Sequence, residues 1–197
     1  MASNKRKENA VFNICGAGIF LLYITGFFLS LGLLIYIQIN GYYKDLDDIP
    51  GLDERLLARN PLIRTITYNY EMVMGDVYMS GDRETSELLK KHKTRITSLA
   101  AVALTSNLKA LVSDVEQNNG NCNAMCNHFN VVYNVAAGHL HMKGYIYFPE
   151  AMKQLKAPLK KIIAETVKNI QRNDALKSVE ELHNAEIIQP VYDFFVE

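Results

Sequence analysis

Three residues able to do chemistry crowd one short stretch, Cys122, Cys126 and His128, and His139 and His141 follow further along. Cysteines four apart lie on one face of a helix, with Cα atoms about 6 Å apart, inside the range a disulfide spans. In an oxidising compartment, a Cys122–Cys126 bridge is the leading reading. It would staple a loop to the start of a helix, and its small ring puts the entropic gain at the low end for disulfides. Unpaired or partner-facing thiols come second, and a metal or redox site third. The spacing matches neither a C-x-x-C redox pair nor the C-x-x-C-H haem attachment. Cys126 and His139 are separated by roughly 20 Å along a single helix, and His139 and His141 face different sides. His128, His139 and His141 are the nearest metal-ligand candidates, but the expectation is no metal and no cofactor, with each ring partly exposed. His92 and His183 stand alone in helical segments and read as solvated or interface histidines.

The other polar clusters are bland. Asp174, Glu180, Glu181 and Glu186 form an ordinary charged helix face. Lys153, Lys156, Lys160, Lys161 and Lys168 lie opposite an apolar stripe. They read first as a solvated face, and second as a surface for an acidic partner or lipid headgroups. Eleven tyrosines and no tryptophan are present. Tyrosine buries area while its hydroxyl stays wet, so Tyr145 and Tyr147 join Lys153, Lys156 and Lys160 as interface candidates. No G-x-S-x-G, Walker, H-E-x-x-H or dinucleotide signature appears, nor an N-x-S/T acceptor. Lys and Arg total 21 and so do Asp and Glu, so no basic field exists to hold nucleic acid.

The elements that position these residues read as helices. Asn60-Pro61 predicts a helix start, followed by Ile63, Ile66, Tyr70, Val73 and Val77 at helical spacing. Ser80-Gly81-Asp82 breaks it, with Ser80 or Asp82 capping the next. A long helix to about Gln117 then carries Leu88, Ile96, Leu99, Leu104, Leu108, Leu111 and Val115, with Ala100, Ala101 and Ala103 making a narrow seam. Asn119-Gly120 marks a loop. A helix over 124–143 buries Phe129, Val132, Tyr133, Ala136 and Leu140, and Gly144 ends it. Met152, Leu155, Leu159, Ile162, Ile163, Thr166, Val167 and Ile170 give the cleanest 3.6-residue pattern, with Pro158 expected to kink it or split off a turn. Asn173-Asp174 caps a last helix, which Pro190 should bend or end. No strand pattern of useful length appears, so the expected fold is all-α: one N-terminal transmembrane helix and an antiparallel bundle of four to five helices.

All of this hangs from Val11 to Ile39, an apolar run with no charge between Glu8 and Lys44. About 20 apolar residues cross a bilayer, and the run lacks the shorter core and small-residue cleavage site of a signal peptide. The expected layout is a tail at 1–10, an anchor at 11–39, a linker at 40–51 and a domain at 52–197. Lys5, Arg6 and Lys7 precede the anchor while Asp45, Asp47 and Asp48 follow it. Positive charge stays cytoplasmic, so the domain is expected outside the cytoplasm, with a bacterial inner membrane and periplasm favoured. Gly18, Gly26 and Ser30 fall at multiples of four and offer a face for another helix, although glycine is common in such helices anyway.

An anchor followed by a helical bundle resembles the layout of the LemA family of bacterial envelope proteins. Tyr133-Asn134 and Phe148-Pro149 echo that family's tyrosine–asparagine and phenylalanine–proline positions. The chain runs past the point where the family ends, and no function is carried over. The leading expectation is non-enzymatic: a single-pass scaffold or assembly component of a membrane complex. Its partners would be lipid and other membrane or envelope proteins, a second copy of itself among them. The alternatives are an extracytoplasmic, sensor-like ligand-binding module working through a partner, and a metal or redox protein built on Cys122, Cys126 and His128.

Overall fold

A computed structural model describes residues 2–39, 52, 59–117, 121–172, 176–183 and 188–197, apart from the side chains of 2–17, 37–39, 171–172 and 183. The chain divides into two units, Met1–Tyr43 and Lys44–Glu197.

The first unit is one helix, α1, Ala2–Ile39. It starts well before the apolar run, because Lys5, Arg6, Lys7 and Glu8 favour helix and no Gly or Pro interrupts them. Within it, Gly18–Tyr36 is long and apolar enough to cross a membrane. Its serine and threonine hydroxyls are satisfied internally, as hydrocarbon requires: Thr25 Oγ1 donates to Leu21 O at 2.8 Å and Ser30 Oγ to Gly26 O at 2.9 Å.

The first full helix described in the second unit is α2, Pro61–Met79, capped by Asn60, whose side chain accepts from the amides of Leu62 and Ile63. Ile63, Ile66, Tyr70 and Val73 face inward. Gly81, at φ +86°, turns the chain. Asp82 then caps α3, Arg83–Lys91, by accepting from Thr85 N at 3.0 Å.

The single helix expected up to Gln117 is three: α3, then α4, Lys93–Thr105, and α5, Leu108–Glu116. His92, at φ −110° and ψ 21°, separates the first two. Ser106 and Asn107 separate the others, with α4 and α5 bent by 80°. Short polar side chains there bond the backbone in place of the helix ladder: Ser106 Oγ donates to Ala103 O, and Asn107 Oδ1 accepts from Ala110 N at 3.0 Å.

The break changes what α4 is. Every residue from Ile96 to Thr105 is buried, so beyond its first turn α4 is buried all round rather than a one-sided seam. It touches every other described helix of its unit. Ala100, Ala101 and Ala103 let neighbours approach from several directions. Its buried hydroxyls are satisfied on their own helix: Thr97 donates to Lys93 O at 2.9 Å, Ser98 to Thr94 O at 2.7 Å and Thr105 to Ala101 O at 2.8 Å. Ser98 Oγ also accepts from the amide of buried Leu52 at 3.1 Å.

Around α4 lie α6, Ala124–Met142, and α7, Tyr147–Arg172. Both bury the stripes their periodicity predicts. Gly144, at φ +90°, closes α6. Pro158 is buried inside α7, which continues through it instead of splitting. A buried polar ladder joins α7 to α2: Asn69 Nδ2 donates to Thr166 Oγ1 at 3.1 Å, and Asn169 Nδ2 donates to Asn69 Oδ1 at 2.7 Å.

The last expected helix is two, α8, Leu176–His183, and α9, Gln189–Val196. Pro190 opens α9 rather than ending a helix, the first-turn position where its missing N–H costs nothing. The 40–51 linker, the Asn119-Gly120 turn and the Asn173-Asp174 cap lie outside the described residues. Among the described residues all regular structure is helical, so the all-α expectation holds.

Candidate functional site at the start of helix α6

Asn123 precedes α6 but makes no side-chain capping bond. The cap comes from another helix instead. Asp114 of α5, 1% exposed, accepts from Ala124 N at 2.9 Å through Oδ1 and from Met125 N at 2.7 Å through Oδ2. A buried carboxylate facing the free amides and positive end of a helix is a favourable arrangement. One turn along, Cys126 is bonded to Cys122, with Cα atoms 5.3 Å apart. Cys126 is buried and Cys122 half-buried.

His128 adds the third attachment. Its Nε2 lies 2.6 Å from Ser106 Oγ and its Nδ1 3.5 Å from Asn107 Nδ2. A serine hydroxyl this close to an imidazole raises the question of a nucleophile and its base. Asn107 Oδ1 accepts from Ala110 N, so the Asn107 atom nearest His128 Nδ1 is the donor Nδ2, at 3.5 Å. Ser106 Oγ also donates to Ala103 O at 3.2 Å. An orientation in which His128 Nε2 donates to Ser106 and Ser106 donates to Ala103 O satisfies all three contacts, and in that orientation the ring is no base to the serine. Burial holds its pKa below the ordinary histidine value, which keeps it neutral. The arrangement is a latch across the α4–α5 corner.

Comparison with protein-family models, with curated proteins and with solved structures gave no match.

The remaining candidates disperse. His139 is half-buried with Nε2 lacking a hydrogen-bond partner, and burial, then Lys143, lowers its pKa. His141 is exposed. Among the described residues no group of three or more His, Cys, Asp or Glu could hold a metal. His92 is not solvated: it is 2% exposed, edge-on to Phe148 with centroids 5.2 Å apart. Burial, then Lys91 and Arg95, brings its pKa down to about 4. The side chain of His183 lies outside the description.

Tyr145 is likewise not at the surface but buried against Phe194, with centroids 5.6 Å apart; Tyr147 is exposed. Lys153 pairs with Glu150 at 2.6 Å. Lys156 Nζ lies 5.2 Å from the Tyr133 ring centroid and 3.5 Å from Asn134 Oδ1. Lys160 is exposed, and Lys161 pairs with Asp76 at 2.7 Å. On α1, a side chain added at Gly18 or Gly26 would meet no atom within 4 Å.

Two helix faces stand out that the sequence reading passed over. On α6, Val131, Val135 and Met142 are exposed, and a Cβ at Gly138 would meet open space. On α2, Tyr68, Met72 and Met79 are exposed with Gly75 equally open. Both follow the same spacing, i, i+4, i+7, i+11, with glycine third. The α6 face is the more unusual, because no Asp, Glu, Lys or Arg occurs anywhere from Ala124 to Met142.

Proposed function

We propose that this protein is a membrane-anchored docking module whose α6 outer face receives a helix of another membrane protein in an assembly. One observation carries the reading: α6 has no Asp, Glu, Lys or Arg along its length, yet turns Val131, Val135, Gly138 and Met142 to solvent. An uncharged, glycine-centred face suits an equally uncharged helix, since a charged partner would lose its water without gaining a counter-charge. The partner is a membrane protein because Gly18–Tyr36 is suited to hold the chain at a bilayer, which raises the local concentration of anything held there too.

In this reading the N-terminus is cytoplasmic and the domain lies on the oxidising side, in a cell envelope. Two things favour it: the lysine–arginine bias ahead of α1 and the Cys122–Cys126 disulfide, of a kind that persists outside reducing compartments. The reading is non-enzymatic.

The test places a photo-cross-linking residue at Val135 of the full chain in its native membrane. The expected product is an adduct with one distinct membrane protein, lost when Val131→Glu is added. Adducts only with a second copy of the chain, only with lipid, or with nothing would overturn the reading.

A further inference from the structure

We propose that the Cys122–Cys126 disulfide is a redox-operated clamp that decides whether the first turn of α6, and with it the α4–α5 corner, stays ordered. Three attachments hold this end of α6, and each reaches a different place. The disulfide ties it to Cys122, ahead of the helix. Asp114 ties it to α5 through the amides of Ala124 and Met125. His128 ties it to Ser106 and Asn107 at the 80° bend between α4 and α5. Asn123 supplies no cap of its own, so this helix start depends on borrowed contacts. A turn without a local cap frays readily. Once it frays, the amides that Asp114 holds move away and the His128 ring leaves the corner.

The disulfide is the one covalent member of the three, and its sulfurs are unequally exposed. Cys126 is buried, whereas Cys122 is half-buried and can be approached. A dithiol reductant attacks Cys122 Sγ as thiolate; the S–S bond breaks and Cys126 leaves as thiolate. The second reductant thiol then displaces Cys122 from the mixed disulfide. The reductant ends as a cyclic disulfide, having given up two electrons and two protons, and the protein holds two thiols. No metal or further co-reactant is needed. The inference stands independently of the docking face, since its readout is local order in the protein alone.

The experiment compares hydrogen exchange of the full chain in mild detergent, oxidised and then treated with a dithiol. Alkylation and mass mapping confirm that Cys122 and Cys126 have been reduced. Exchange at 124–128, and at Ala110, whose amide is bonded to Asn107 Oδ1, is expected to rise tenfold or more. That is of the order of the loop-closure entropy of a five-residue ring. Amides of α7 should not change, and reoxidation should restore the slow pattern. The Cys122→Ser/Cys126→Ser double variant should exchange like the reduced protein with no reductant present. Exchange at both places within twofold of the oxidised form would overturn the proposal, as would a disulfide that yields to the dithiol only when the whole domain unfolds. Because the decisive comparison uses the unmodified chain, a variant that fails to fold does not rescue the idea.

Discussion

Helices α6 and α7 pack against each other and bury similar apolar stripes, yet their outer faces have little in common. The α7 face carries Glu150, Lys153, Lys156, Lys160 and Lys161, with exposed ion pairs to its own helix and to α2. Such pairs contribute little stability, but they keep the face wet. The α6 face carries amides, valines, a glycine, a histidine and a methionine. Neighbouring helices with the same inward demands have thus been given opposite outward surfaces. Charge is the ordinary covering for a solvated helix, so its absence on α6 is more informative than its presence on α7.

The sharpest way to break that contrast is within α6 itself. Phe129→Ala, on the inner face, should cost about 3–5 kcal/mol in denaturant unfolding, while Val135→Glu, on the outer face, should stay within about 0.5 kcal/mol. Equal losses would mean that the outer face is packed rather than free. The His92 ring, packed against Phe148 at the start of α7, gives the next largest effect. Its folded pKa of about 4 lies below the ordinary 6.5, so the unfolded chain binds the proton first. The stability it contributes is full above 6.5 and lost as pH falls from there towards 4, about 3 kcal/mol at the end. Urea midpoints across that window should flatten in His92→Leu relative to the parent chain. Asp114→Ala strips the start of α6 of its acceptor for two amides and should cost about 1–3 kcal/mol, read in the same unfolding curves. Lys153→Ala and Lys160→Ala, on the α7 face, should move stability by less than about 0.5 kcal/mol and leave the Val135 adduct intact. Loss of the adduct would shift the docking surface onto α7.

Much of the fold is visible in the one-dimensional pattern, because amphipathic helices write their inner face into the sequence. The α2, α6 and α7 stripes are of this kind. What escaped notice has two physical causes. First, α4 is buried all round, and a helix with no polar side carries no phase; its limits are set by His92, Ser106 and Asn107, whose effect depends on bonds to the backbone. The run Thr105-Ser-Asn107 was the available signal. Second, the site is held by long-range polar contacts. Asp114 caps a helix ten residues downstream, and His128 reaches back to Ser106. Neither pairing has a characteristic spacing. The Cys122–Cys126 pair, by contrast, lies within one helical turn, and local geometry is what a sequence conveys best. His92 shows the limit on the other side: an isolated histidine reads as solvated until its ring is found against Phe148.

The hydrogen bond from Leu52 to Ser98 has a mechanical side. Leu52 is buried, and Ser98 belongs to the helix that touches all the other described helices of its unit. The Leu52 amide therefore bears directly on the hub of the domain: any displacement of that amide pulls on Ser98 and the centre of α4 rather than on a peripheral helix.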